Sequence, residues 1–82
     1  MLKLDTITPM FDPRHYPVVL YWSAEDHAFI VEVPDFPGCM ADGPTQEAAL
    51  ANVLIIIQEW MEFAHELGRE IPAPRERLQI AA

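Results

Sequence analysis

From Pro17 to Trp22 the chain reads Pro-Val-Val-Leu-Tyr-Trp, β-branched and aromatic with no charge. That pattern predicts a strand. Pro17 has no N–H to give, so it fits only at the start of the strand or on a sheet edge. Ser23-Ala24-Glu25-Asp26-His27 is polar and turn-forming. Ala28–Val33 is a second strand, with Phe29, Val31 and Val33 on one face and Glu32 on the other. Two such strands joined by five polar residues predict a hairpin.

Pro34-Asp35-Phe36-Pro37-Gly38 stops the second strand. Its two prolines remove two donors, and each holds the preceding residue extended. Cys39–Gly43 is a short third strand. Thr45 is placed to cap a helix, because its hydroxyl can accept a free first-turn N–H. Glu47 complements the helix dipole there. Ala48 stands at the third position after the cap, so the reciprocal capping box is missing. The helix is expected to run to Leu67 and stop at Gly68. At about 1.5 Å per residue it measures about 33 Å, long for a chain of this size.

Leu50, Val53, Leu54, Ile57, Met61, Ala64 and Leu67 recur at three and four and form the expected core face. Ile55 and Ile56 lie partly outside that stripe. Two readings stay open for them: contact with a second copy, or cover by a loop or by the N-terminal arm.

Residues 1–15 read as an arm with at most a short strand near Leu2–Ile7. Two prolines make the segment after Gly68 extended, and Leu78-Gln79-Ile80 alternates as a final short strand would. The expected order is strand, strand, strand, helix, strand: one α+β domain over 16–82, with a three-stranded antiparallel sheet packed by one long helix.

The chain has 82 residues, of which 51% are hydrophobic, so it is neither multidomain nor a disordered tail. A core this small is marginal alone, which points to a homo-oligomer. One cysteine excludes an internal disulfide or a multi-Cys zinc site. No signal peptide or membrane-length apolar run is present, so the expected location is cytoplasmic.

Thirteen acids against five bases give a formal charge of −8. From His15 to Gly68 there are nine acids and no Lys or Arg. Such a surface disfavours direct nucleic-acid binding. It acts as a solubility device or as a surface that steers a basic partner.

Candidate chemistry is sparse. Cys39 has His15, His27 and His65 elsewhere in the chain, but no spacing puts one beside it, and a free cysteine is usually a small buried hydrophobe. The three histidines match no metal-ligand spacing. Asp26, Asp35 and Asp42 fall in turns or strand ends, where Asp caps backbone N–H groups. A Mg²⁺ nuclease built on them is the weaker alternative. No catalytic residue, metal or cofactor is expected. The proline corner is either a rigid structural turn, with Asp35 binding local N–H groups, or a partner loop presenting Phe36 beside a carboxylate.

Tyr16-Pro17, the aromatic strand, Val33-Pro34-Asp35-Phe36-Pro37-Gly38-Cys39, Gly43-Pro44-Thr45-Gln46-Glu47-Ala48-Ala49-Leu50-Ala51-Asn52 and Gly68-Arg69-Glu70-Ile71-Pro72-Ala73-Pro74 together resemble the HicB-like antitoxin family, over about residues 16–74. The resemblance implies a partial ribonuclease-H-like sheet and helix. It also implies a partner, HicA, a small basic toxin with a double-stranded-RNA-binding-like fold that cleaves mRNA with a histidine. Family members commonly form dimers or tetramers, and many carry a C-terminal DNA-binding segment. This chain stops at Ala82, where no such segment is expected. It also lacks the usual glycine around His27-Ala28, and Ala48 stands where a second acid is common.

The expected function is thus an antitoxin-type protein, not an enzyme, that binds and masks a HicA-type toxin. The expected contacts are Glu25, Asp26, Asp35, Phe36 and Asp42. Ile55, Ile56 and Trp60 form the expected oligomer interface. An orphan oligomeric protein of the same fold, with no toxin, is the alternative.

Overall fold

The computed structural model describes residues 11–75. Three strands form one antiparallel sheet in the order β1-β2-β3: β1 Val19–Ser23, β2 Ala28–Glu32 and β3 Met40–Gly43. One helix, α1 Gln46–Glu66, follows. This is the expected α+β architecture. The strands near Leu2–Ile7 and over 78–80 lie outside the described residues.

The hairpin register sets Tyr21 opposite Ile30 and Trp22 opposite Phe29. Ile30 then faces Asp42 on β3, and Val31 faces Ala41. Side chains alternate between faces, so Leu20, Phe29, Val31 and Ala41 point to the helix while Val19, Tyr21, Ile30, Glu32, Met40 and Asp42 point away. His27 closes the hairpin at φ 53°, a left-handed conformation that glycine adopts more easily.

Thr45 caps α1: its Oγ1 accepts the Ala48 N–H at 3.0 Å. At the other end Gly68 takes φ 72°. Its N–H donates to the His65 carbonyl, and the Arg69 N–H donates to the Ala64 carbonyl at 2.8 Å. That pair of bonds is the Schellman motif, and it satisfies carbonyls that the helix end leaves free.

The buried helix face is Ala49, Val53, Ile57, Met61 and Ala64. Leu50 and Leu67, expected in the core, are exposed. The cause is Gly43. The helix packs chiefly on β3, and a Cβ on Gly43 would sit 2.6 Å from the Ala49 nitrogen. So close an approach admits only a small residue facing the sheet, and Ala49 supplies it in place of Leu50. The same rotation carries Ile56 onto the core.

Ahead of the sheet, a single 3-10 turn at Pro13–His15 is capped by Asp12, which accepts the Arg14 N–H at 2.8 Å. Phe11 and Tyr16 meet edge to face across it. Residues 11–15, expected as part of an arm, therefore reach the core through Phe11.

Candidate functional site

The proline corner is closed by its own backbone. The Phe36 N–H donates to the Val33 carbonyl, the Cys39 N–H to the Phe36 carbonyl, and the Val33 N–H to the Cys39 carbonyl, at 3.0–3.1 Å. Gly38 completes the turn at φ 76°. This arrangement uses the donors that remain beside two prolines.

The corner drives Phe36 inward. Its ring is 1% exposed, between Tyr16 at 4.5 Å and Trp60 at 4.2 Å. That burial corrects the picture of Phe36 as a presented apolar anchor: it is a core residue that fixes the corner to the helix. Asp35 differs from expectation as well. Its side chain, 7% exposed, accepts from the Arg75 guanidinium across 40 positions instead of from local N–H groups. Its Oδ2 is buried without a hydrogen-bond partner among the described residues. Tyr16 completes the cluster. Its hydroxyl donates to the Pro72 carbonyl at 2.6 Å, and burial, with the Asp35 carboxylate nearby, pushes its pKa up to about 12. Together with the buried Ile71, these contacts pin residues 71–75 against the corner. The corner is thus structural in this fold.

The remaining expected contacts lie at the surface. Glu25 and Asp26 are exposed in the hairpin turn, where Asp26 Oδ2 accepts from Ser23 Oγ at 2.9 Å. Asp42 is exposed on β3, and its backbone carbonyl accepts from Asn52 Nδ2 at 2.8 Å. The structure does not gather the five residues into one patch: Asp35 and Phe36 sit beneath the corner, and the other three lie on the surface of the sheet and its turn. Of the expected oligomer contacts, Ile55 is 58% exposed. Ile56 and Trp60 are half-buried against the chain's own core.

Cys39 is buried, and burial raises its thiol pKa, which keeps it neutral at ordinary pH and unsuited to attack. Among the described residues no group of three or more His, Cys, Asp or Glu is placed to hold a metal ion. No helix among them is long and apolar enough to cross a membrane.

One surface did not stand out in the sequence: the sheet face turned away from the helix. Val19, Tyr21 and Met40 are 41–48% exposed there, around a buried Ile30. Tyr21 reaches diagonally to Glu32, its hydroxyl donating to Oε2 at 2.6 Å, and that bond raises the Tyr21 pKa. The signal was present in the alternation of the strands, whose second set of positions mixes the apolar Val19, Tyr21, Ile30 and Met40 with the acids Glu32 and Asp42. Beside this face the corner bounds a cleft of about 340 Å³, with Glu32, Phe36 and Met40 in its lining.

Comparison with known proteins bears on this geometry. The family described as HicB-like antitoxin of bacterial toxin-antitoxin system matches residues 16–82. A UPF0150 protein of Synechocystis sp. is 36% identical over 59 residues, covering 72% of this chain and 80% of the relative. A UPF0150 protein of Thermoplasma acidophilum is 33% identical over 54 residues, covering 66% of this chain and 78% of the relative. No solved structure matches. The matched span takes in the sheet, the proline corner and the helix, and on that span the chain belongs to the HicB-like antitoxin family.

Proposed function

We propose that this chain is an antitoxin that binds a small basic HicA-type mRNA-cleaving toxin and covers its active site. The observation that carries the reading, beside family membership, is the run of nine acids without one Lys or Arg between His15 and Gly68. A toxin that grips RNA needs a cationic surface, and an anionic protein can occupy that surface in place of phosphate. Glu25, Asp26 and Asp42 are the proposed contacts. Asp35 and Phe36 hold the corner at the other end of β2 and are not among the proposed contacts. The action is masking, not catalysis. Self-association through the helix side carrying Ile55, with Ile56 and Trp60 behind it, is part of the same proposal.

The test is to mix the purified chain with the HicA-type toxin of the same genome and assay cleavage of an mRNA. Dose-dependent protection together with a stable complex is the expected result. No complex and no protection would overturn the reading. Light scattering that returns a monomer mass at micromolar concentration would overturn the self-association.

A further inference from the structure

We infer that the toxin docks on the sheet face turned away from the helix, with Val19, Tyr21, Ile30 and Met40 as its apolar centre and Glu32 and Asp42 as its charged groups. This rests on the antitoxin reading above and names the surface that performs it.

Three observations converge on that face. The first is continuity. Register places Tyr21, Ile30 and Asp42 in one cross-strand row and Val19, Glu32 and Met40 in the next. These six side chains therefore adjoin across all three strands. The second is cover. The helix packs on the opposite side of the sheet, chiefly against β3 and β2. No second layer among the described residues lies over Val19, Tyr21 and Met40, which remain 41–48% exposed. Uncovered apolar side chains interleaved with carboxylates form a surface suited to a partner that is both apolar and charged.

The third is charge. β1, β2 and β3 carry no Lys or Arg. Of the three described bases, Arg14 is held by Asp12, Arg75 by Asp35, and Arg69 follows the helix; none lies in the sheet. A second copy laid on this face would bring Glu32 and Asp42 against their own equivalents, with no base on either sheet to separate them. A basic partner pairs them instead. The cleft of about 340 Å³ gives the face a recess, lined by Glu32 and Met40, that suits a protruding Lys or Arg side chain. The occupant is thus a cationic protein surface with an apolar patch at its middle.

The experiment measures toxin affinity by calorimetry, using the intact chain and an inactive toxin variant. The three forms compared with the wild type are Glu32→Lys/Asp42→Lys, Val19→Ser/Met40→Ser and, on the exposed C-terminal end of the helix, Phe63→Ser/Leu67→Ser. Thermal melts establish that each is folded. Both sheet variants are expected to bind about a hundredfold more weakly or worse, and the charge variant to lose most of its salt dependence. The helix variant is expected to bind within about threefold of wild type, as substitutions remote from an interface do. Wild-type affinity in a folded sheet variant would overturn the inference while leaving the antitoxin reading intact. So would a loss in the helix variant as large as in the sheet variants. A wild-type chain that gives no binding heat removes the antitoxin reading, and the docking face falls with it.

Discussion

Phe36 and Trp60 lie face to face, ring centroids 4.2 Å apart and planes 8° from parallel. Tyr16 closes the other side of Phe36 at 4.5 Å. The proline corner is therefore joined to the middle of α1 and to the segment before β1 through a single ring. Phe36→Ala is expected to cost about 3–5 kcal/mol, since it removes a fully buried ring and two aromatic contacts. Urea denaturation measures it, and a cost below about 1 kcal/mol would show that the stack does not hold the corner.

Gly43 is expected to tolerate no side chain. An added Cβ would lie 2.6 Å from the Ala49 nitrogen and 2.9 Å from the Ala48 carbonyl carbon, both backbone atoms that cannot turn aside. Gly43→Ala must lift the helix start off β3, at about 1–3 kcal/mol or more. Gly38→Ala meets open space and pays only for its φ of 76°, about 1 kcal/mol. Equal melting temperatures for the two variants would contradict this ordering.

His27 carries the opposite prediction. At φ 53° a side chain is disfavoured, so His27→Gly is expected to stabilise the hairpin by about 0.5–1 kcal/mol. The gain is net of the edge contact between His27 and Trp22, ring centroids 6.3 Å apart, which the variant loses. A lowered melting temperature would mean that this contact outweighs the backbone relief.

Tyr16 sets an alkaline limit. Its folded pKa, about 12, lies above the ordinary tyrosine value of 10.0, so the folded state holds the phenol proton more tightly than the unfolded chain. The stabilisation is complete below pH 10 and is lost as pH rises through about 12. Urea midpoints of the wild type should therefore fall steeply over that window. Tyr16→Phe should fall less there, while losing about 1 kcal/mol at neutral pH with the bond to Pro72. Parallel pH curves for the two proteins would refute the assignment.

Asp35 and Asp42 should separate in behaviour although both are acids near strand ends. Asp35→Lys puts a cation into a site 7% exposed and beside Arg75, at a cost of about 3 kcal/mol or more. Asp42→Lys changes an exposed position and should alter stability by no more than about 0.5 kcal/mol while weakening toxin binding. Circular-dichroism melts beside a binding titration read both effects. A stable Asp35→Lys would count against the buried ion pair as a fixture of the corner. An unchanged affinity for Asp42→Lys would remove Asp42 from the docking face.

Much of the architecture was legible from local chemistry. The β-branched runs, the polar five-residue turn, the double proline, the Thr45 cap and the Gly68 stop act within a few residues of themselves. They placed three strands and one helix within a residue or two of where they lie. The charge asymmetry was legible too, because no fold can put a base among residues that hold none.

Side-chain partnership over long separations was not legible. In the sequence Phe36 sits between loop residues and reads as a tip; only the folded chain brings Tyr16 and Trp60 to its two faces. Asp35 looks like a turn-capping acid until Arg75 arrives from 40 positions away. The stripe through Leu50 and Leu67 is as regular as the true one. What selects Ala49 over Leu50 is the close approach of the helix to Gly43, a tertiary distance that no helical period contains. Periodicity and capping act locally, so the sequence by itself determined the elements, their order and the sign of the surface. Which face each element buries depends on steric fit between distant segments, so the tertiary structure alone decided which acids and apolar groups remain outside for a partner.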